Sequence, residues 1–325
     1  MFVGPYSITS RELCITLTSR ACTEFACSLS SFYHQRLMLR APPRFHIPGG
    51  AGAIGLDRET RAPVFHPLPA YMDNTFTAAC HFFLIANEIT LAYLSEDEQA
   101  VRNRLSLPLA EAIFHRLLEW SKQSSLQLFG TTSDTQHKIV LHTWFHSRII
   151  DLFRPFQEPE MRLQSFAYRE CTTRDIYTAS LNQLKRHLYL YPLRYAYAGL
   201  SGWFGMALIQ LTSSIVSDPA EPDCRFWFYL CAHNLYQLSR TFPLLKLVLE
   251  IYSKLAVTKG ILNKEEANTF LRAHNESVGG VPLRGDYVLD LNAALHNRRD
   301  ARMDRLISDL DTVSNGTSDQ GGSER

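Results

Sequence analysis

At 325 residues, with 46% hydrophobic and 11% aromatic side chains, the chain carries enough apolar material for a large core, which excludes disorder throughout. Lys and Arg number 33 against 32 Asp and Glu, a net charge of +1, so no chain-wide basic surface exists to hold nucleic acid, and any such contact is local or borrowed. The seven cysteines (Cys14, Cys22, Cys27, Cys80, Cys171, Cys224 and Cys231) are odd in number and scattered, a pattern of reduced thiols in a cytosolic or nuclear protein rather than of a disulfide framework.

Residues 1–70 read as an irregular leader. Met1 to Phe32 lacks a basic start followed by an apolar run, so no secretory signal is expected. Pro5, Pro42, Pro43, Pro48, Pro63, Pro67 and Pro69 and the glycines from Gly49 to Gly55 leave little room for regular structure beyond a short helix over residues 20–40. Gly50-Ala51-Gly52-Ala53-Ile54-Gly55 has the letters of a dinucleotide fingerprint. That motif needs an apolar strand before it and a crossover helix after it, and here prolines precede it and a short polar run follows, so a flexible loop is expected.

From residue 71 to 276 the signal is helical. Asp73 or Asn74 can cap a helix whose inner face is Phe82, Ile85, Ala86, Ile89, Ala92 and Tyr93, at the i, i+3, i+4 spacing of one buried stripe. Residues 108–122 follow, with Leu109, Ala112, Ile113, Leu117 and Trp120 expected inward. The most regular helix carries Leu141, Trp144, Phe145, Ile149, Leu152 and Phe153 and is stopped by Pro155. Further helices are predicted over 173–191, 193–215, 223–240, 244–258 and 264–274, with stripes Trp227, Leu230, Cys231, Leu235, Leu238 and Leu245, Val248, Leu249, Tyr252, Ala256. No alternating strand pattern lies between them. The expected fold is therefore an all-α bundle of about eight helices, followed over 277–325 by a weak helix near 289–310 and a disordered polar tail.

Residues 195–217 hold no charged side chain and are long enough to cross a bilayer. Gln210, Thr212, Ser213, Ser214 and three glycines interrupt them, and Trp203, Phe204, Ala207, Leu208, Leu211 and Ile215 share one face, so a core helix is expected and no membrane partner.

The candidate chemistry is sparse. His142 and His146, four apart on one helix, have the spacing of two metal ligands, but no glutamate stands between them and no third ligand is near in sequence, so ordinary helix histidines are expected. Cys224 and Cys231 flank an aromatic run and lack the close cysteine pairs of a structural zinc site, which makes them buried thiols. Arg298, Arg299, Arg302 and Arg305 alternate with Asp300 and Asp304, as on a solvated helix with i, i+4 pairs, or as a diluted nuclear-import signal. The aromatics Tyr189, Tyr191, Tyr195, Tyr197, Trp203, Phe226, Trp227, Phe228 and Tyr229 either line a pocket or fill the core, packing being the default. No nucleophile elbow or phosphate-binding loop appears, so no catalytic residue, resident cofactor or metal ligand is assigned.

The run Lys138-Ile139-Val140-Leu141-His142-Thr143-Trp144-Phe145-His146, closed by Leu152-Phe153-Arg154-Pro155-Phe156, resembles a signature in the regulatory middle homology region of fungal zinc-cluster transcription factors. In that family an LHxxYH helix leads into HRPF. Here Phe145 stands for the tyrosine and Phe153 for the histidine. Residues 181–191, and 221–231 continued by 238–243, resemble the family's later helices, particularly in nitrogen-assimilation regulators, so that the similarity spans residues 70–260. The resemblance implies a nuclear regulator of RNA polymerase II transcription whose all-α region contacts partner proteins, itself or a small effector, with no catalytic residues. The family's six-cysteine zinc cluster is not in this chain: Cys14, Cys22 and Cys27 have spacings of eight and five, and no Cys-x2-Cys-x6-Cys array occurs. DNA contact is therefore expected only through a zinc-cluster module outside these residues. The alternative is a helical small-molecule-binding protein or an enzyme of unknown reaction.

Overall fold

The computed structural model describes residues 52–56, 63–67, 75–94, 101–123, 136–159, 161–164, 171–195, 202–273, 289–297, 301–302 and 305–306. Among these the fold is all-α apart from one hairpin. Strand β1 (Gly52–Leu56) pairs antiparallel with β2 (Pro63–Pro67), Gly52 opposite Pro67 and Leu56 opposite Pro63. This corrects the expectation of a loop. Each strand is an edge, and the two prolines of β2 close its ends, where a missing N–H costs the ladder least. The fingerprint letters Gly52 to Gly55 thus lie inside a strand. The expected helix over 20–40, the caps Asp73 and Asn74 and the polar tail lie outside the described residues.

The helices are α1 (Thr75–Leu94), α2 (Val101–Arg104), α3 (Leu107–Gln123), α4 (Gln136–Phe153), α5 (Thr173–Arg194), α6 (Gly205–Ser217), α7 (Cys224–Ser239), α8 (Leu244–Thr258), α9 (Lys264–Ala273) and α10 (Ala293–His296). Eight have ten residues or more, as the periodicity requires. On the predicted face of α1, Phe82, Ala86, Ile89, Ala92 and Tyr93 are buried, Phe82 and Ile89 completely, and Ile85 is half-buried. On α3, Leu109 and Ala112 face solvent, contrary to expectation, while Ala110, Ile113, Phe114 and Leu117 are buried. The reason is the Phe114 ring, which meets Phe153 edge-on at 5.2 Å and turns its own stripe inward.

Helix α4 is the centre of the bundle. Thirteen of its eighteen residues are buried, from Ile139 to Phe153, and it packs against α1, α3, α5 and α6. A helix enclosed on all sides is a core element. Two apolar clusters flank it. One gathers α1, α3 and one side of α4; the other gathers α5 to α9 and takes Ile139 and Ile150 from α4. Polar ties lock the first cluster: Trp120 Nε1 donates to the Ala78 carbonyl (2.9 Å) and Tyr93 Oη to the Asp151 carbonyl (2.7 Å). Pro155 ends α4 as expected, in a 3₁₀ turn over Arg154–Phe156.

The predicted helix over 193–215 does not form as one piece. Helix α5 runs on through Pro192 to Arg194, and α6 begins only after a 3₁₀ turn over Gly202–Phe204. Gly199, Gly202 and Gly205 each cost a helix about 1 kcal/mol relative to alanine, enough to defer initiation. Gly202 also leaves room for the Phe242 ring, which would lie 2.6 Å from a Cβ there. Among the described residues no helix is long and apolar enough to cross a membrane.

Local chemistry sets the other ends. Thr172 Oγ1 accepts from the Asp175 amide (3.1 Å) and Asp175 Oδ2 accepts from the Thr172 amide (2.9 Å), a capping box at α5. Helix α8 closes on Gly260 at φ 75°, where the Ile261 amide reaches Ala256 O and the Gly260 amide reaches Val257 O. The weak helix expected over 289–310 is reduced to α10 and the helical pair Arg305 and Leu306 among the described residues. It is not peripheral: Leu289, Leu291, Ala294, Leu295 and Ala301 are buried, and residues 289–297 reach both clusters.

Candidate functional site

The C-terminal half of α4 and the turn after it carry charge into the core. Arg148, Asp151 and Arg154 stand three apart, so they share a face, and each is no more than 3% exposed. Arg148 Nη1 pairs with Asp151 Oδ2 at 3.1 Å, and Gln210 Nε2 from α6 donates to the same oxygen at 2.7 Å. Burial raises the Asp151 carboxyl above its ordinary range, and Arg148, Arg154 and the Gln210 bond hold part of that rise back. Burial also works against the Arg154 charge, but Tyr177, Tyr93, Asp151 and Tyr252 around it outweigh that and raise it. Two buried cations thus face one buried carboxylate.

Arg154 Nη1 donates to Asn292 Oδ1 at 3.0 Å, and Nε and Nη2 have no acceptor among the described residues. The sequence separation of 138 between these partners explains why no local pattern announced the contact. Asn292 Nδ2 in turn donates to Ser217 Oγ.

Arg154 lies in the wall of a cavity of about 660 Å³ formed by the Arg154–Phe156 turn, α5, the end of α6, α8 and residues 290–292. Its cations are Arg154, Arg174 and Lys259, and its acids are Asp218, Glu221 and Asp290. Two acids are engaged: Glu221 pairs with Lys185, and Asp290 Oδ1 accepts the Asn292 and Ala293 amides at 3.0 and 2.9 Å. Tyr177 contributes a hydroxyl 3.0 Å from Ser214 Oγ.

His142 and His146 are joined by His187 of α5, which sequence spacing could not supply; the rings of His142 and His146 lie 5.4 and 5.9 Å from that of His187. His146 is pulled down to about 3 by burial and by the neighbouring His187 and His142, so it is neutral at pH 7. Among the described residues no three His, Cys, Asp or Glu side chains are placed to hold a metal ion, and no histidine lines the cavity. The Cys231 thiol is completely buried and pushed up to about 12 by that burial, an inert group, while Cys224 is half-buried. Cys14, Cys22 and Cys27 lie outside the described residues, as do Arg298, Arg299, Asp300 and Asp304; Arg302 is half-buried and Arg305 exposed.

The aromatic group divides. Tyr191 and Phe228 are core, Tyr195, Trp227 and Tyr229 are half-buried, and Tyr189, Trp203 and Phe226 are exposed; Tyr197 lies outside the described residues. None of them lines the cavity. No family model, no curated protein and no solved structure matches the chain.

Proposed function

We propose that the chain is the regulatory, middle-homology region of a fungal zinc-cluster transcription factor. It acts in the nucleus, without catalysis, through contacts with partner proteins, with itself or with a small effector, and DNA recognition belongs to a zinc-cluster module outside these residues. The observation that supports this most is the position of the motif helix. The segment from Leu141 to Phe156 forms α4 and the turn after it, the element that supplies both apolar clusters. A helix whose side chains are divided between two clusters couples a change in one to the other, because packed cores rearrange between discrete states and do not deform smoothly. Any ligand that favours one packing then biases the surface presented by the other half, which is the physical content of effector control. The exposed Tyr189 and Phe226, 6.3 Å apart on α5 and α7, lie on such a surface.

Sequencing of the full-length transcript tests this reading. A six-cysteine cluster joined in frame upstream of Met1 is expected. A reading frame that opens at Met1 with no such cluster would overturn the assignment to this family.

A further inference from the structure

We infer that the outward faces of α5 and α7 form a docking surface for an acidic amphipathic helix of a partner protein. This surface gives the proposed regulator its partner contact, and the binding test that decides it is independent of the upstream transcript that decides the family. Three large apolar side chains are left in solvent there: Leu193 is 66% exposed, Phe226 50% and Tyr189 45%. Tyr189 and Leu193 stand four apart on α5 and so share a face, and the Tyr189 ring lies 6.3 Å from that of Phe226 on α7. Leu230, half-buried, follows one turn after Phe226. None of the four belongs to either apolar cluster. Single exposed leucines are ordinary, but aromatic and aliphatic side chains of two helices gathered in solvent mark an interaction surface.

The charge around it selects the occupant. Helix α5 carries Arg174, Lys185, Arg186 and Arg194 against Asp175 alone, and α7 carries Arg225 and no acid, in a chain whose whole net charge is +1. Glu221 engages Lys185, Glu266 engages Arg225 at 2.6 Å, and Asp175 caps its own helix about four turns before Tyr189. Asp223 and Glu266 lie at the Phe226 end, so the basic rim is the α5 side. There Arg186 is exposed on the face of Tyr189 and Leu193, and the exposed Arg194 follows Leu193. An apolar centre rimmed by arginine is complementary to a helix whose apolar stripe is flanked by Asp and Glu.

Two other occupants fit less well. A second copy seated about a two-fold axis would set this arginine-rimmed face against itself, a like-charge contact that costs affinity. A nucleic-acid backbone is held by several cations in reach of successive phosphates. Here Leu193 and Tyr189 occupy the centre, and Lys185 and Arg225 are already paired with acids.

The test is fluorescence anisotropy of a labelled peptide of about 18 residues, with Leu and Phe at helical spacing and Asp and Glu between them, titrated with the purified full chain. One comparison peptide carries Lys for every Asp and Glu, and another keeps the composition with the stripe scrambled. Saturable binding of the acidic peptide with a Kd below about 100 µM is expected, at least about tenfold tighter than that of either comparison. Leu193→Asp, on a side chain outside the core, leaves the circular dichroism spectrum unchanged and weakens binding about tenfold. Phe226→Ala does the same, and keeps the test meaningful should Leu193→Asp fail to fold. Arg186→Gln weakens binding about threefold at low salt and flattens its salt dependence. A Kd above about 100 µM for the acidic peptide overturns the inference, as does equal affinity for the lysine or scrambled peptide. So does an affinity that both Leu193→Asp and Phe226→Ala leave unchanged, tighter binding of duplex DNA than of the acidic peptide, or a dimer in sedimentation that Leu193→Asp dissociates, which would assign the face to a second copy.

Discussion

Burial of His146 makes a definite demand on stability at acid pH. The imidazole is 9% exposed, on α4 between Phe145 and His187, with its pKa drawn from 6.5 to about 3. A folded-state value below the unfolded one means that the unfolded chain binds the extra proton first. The folded state is then undiminished above pH 7, loses ground as the pH falls through 6.5, and stops losing near 3. One unit of pKa difference is worth about 1.4 kcal/mol, so at pH 5 this one side chain costs about 2 kcal/mol relative to pH 7.5. Urea unfolding at several pH values, read as the difference between wild type and His146→Gln, isolates that contribution from the carboxylates that titrate in both. The difference between the two proteins should shift by about 2 kcal/mol between pH 7.5 and 5, in the direction that favours the variant at low pH. A difference that stays level to within about 0.5 kcal/mol over that range would refute the reasoning, because the ring would then be protonated as readily in the folded protein as outside it.

Three further outcomes concern the fold. Gly260→Ala places a Cβ in open space but at φ 75°, so it should cost about 1–2 kcal/mol by backbone strain alone, measured as a drop in the urea midpoint. Tyr93→Phe removes the donor to the Asp151 carbonyl and should cost about 1 kcal/mol, seen in the same assay, with no change in helix content by circular dichroism. On α3, Leu117→Ala should cost about 2–5 kcal/mol and Leu109→Gln less than about 0.5 kcal/mol; equal losses would place the buried stripe on the wrong face.

Where local pattern and packing agree, the elements were legible beforehand. Helix α8 was predicted over 244–258 and found as Leu244–Thr258, with all five residues of its stripe buried, because leucine and valine recur there at helical spacing without a competing face. Helix α4 was equally plain, but its periodicity understated its burial: Ser147, Arg148 and Asp151 are enclosed too, and only the presence of α5 and α6 on its polar side accounts for that. On α3 two faces were apolar enough to be inward, and an aromatic contact with Phe153 from another helix chose between them. The break before α6 lies with its glycines, which interrupt the long uncharged run.

The site was less legible for a simple reason. Arg154 was visible in the Arg-Pro-Phe turn, yet its partner Asn292 comes from the far end of the chain, and Gln210 and His187 reach α4 from α6 and α5. Hydrogen bonds between elements leave no periodic trace in sequence. Nor did the hairpin of β1 and β2 announce itself, since prolines that normally interrupt strands here close the ends of one.

The most direct test of the regulatory reading is a tethered reporter assay. The full chain is fused to a DNA-binding domain of known operator and expressed in fungal cells, with nuclear accumulation of the fusion verified. A regulatory region is expected to make reporter output rise or fall relative to the DNA-binding domain alone, and the output to return to that level when Leu117→Ala disrupts the core. Output identical to the DNA-binding domain alone, from a fusion that is folded and nuclear, would contradict it.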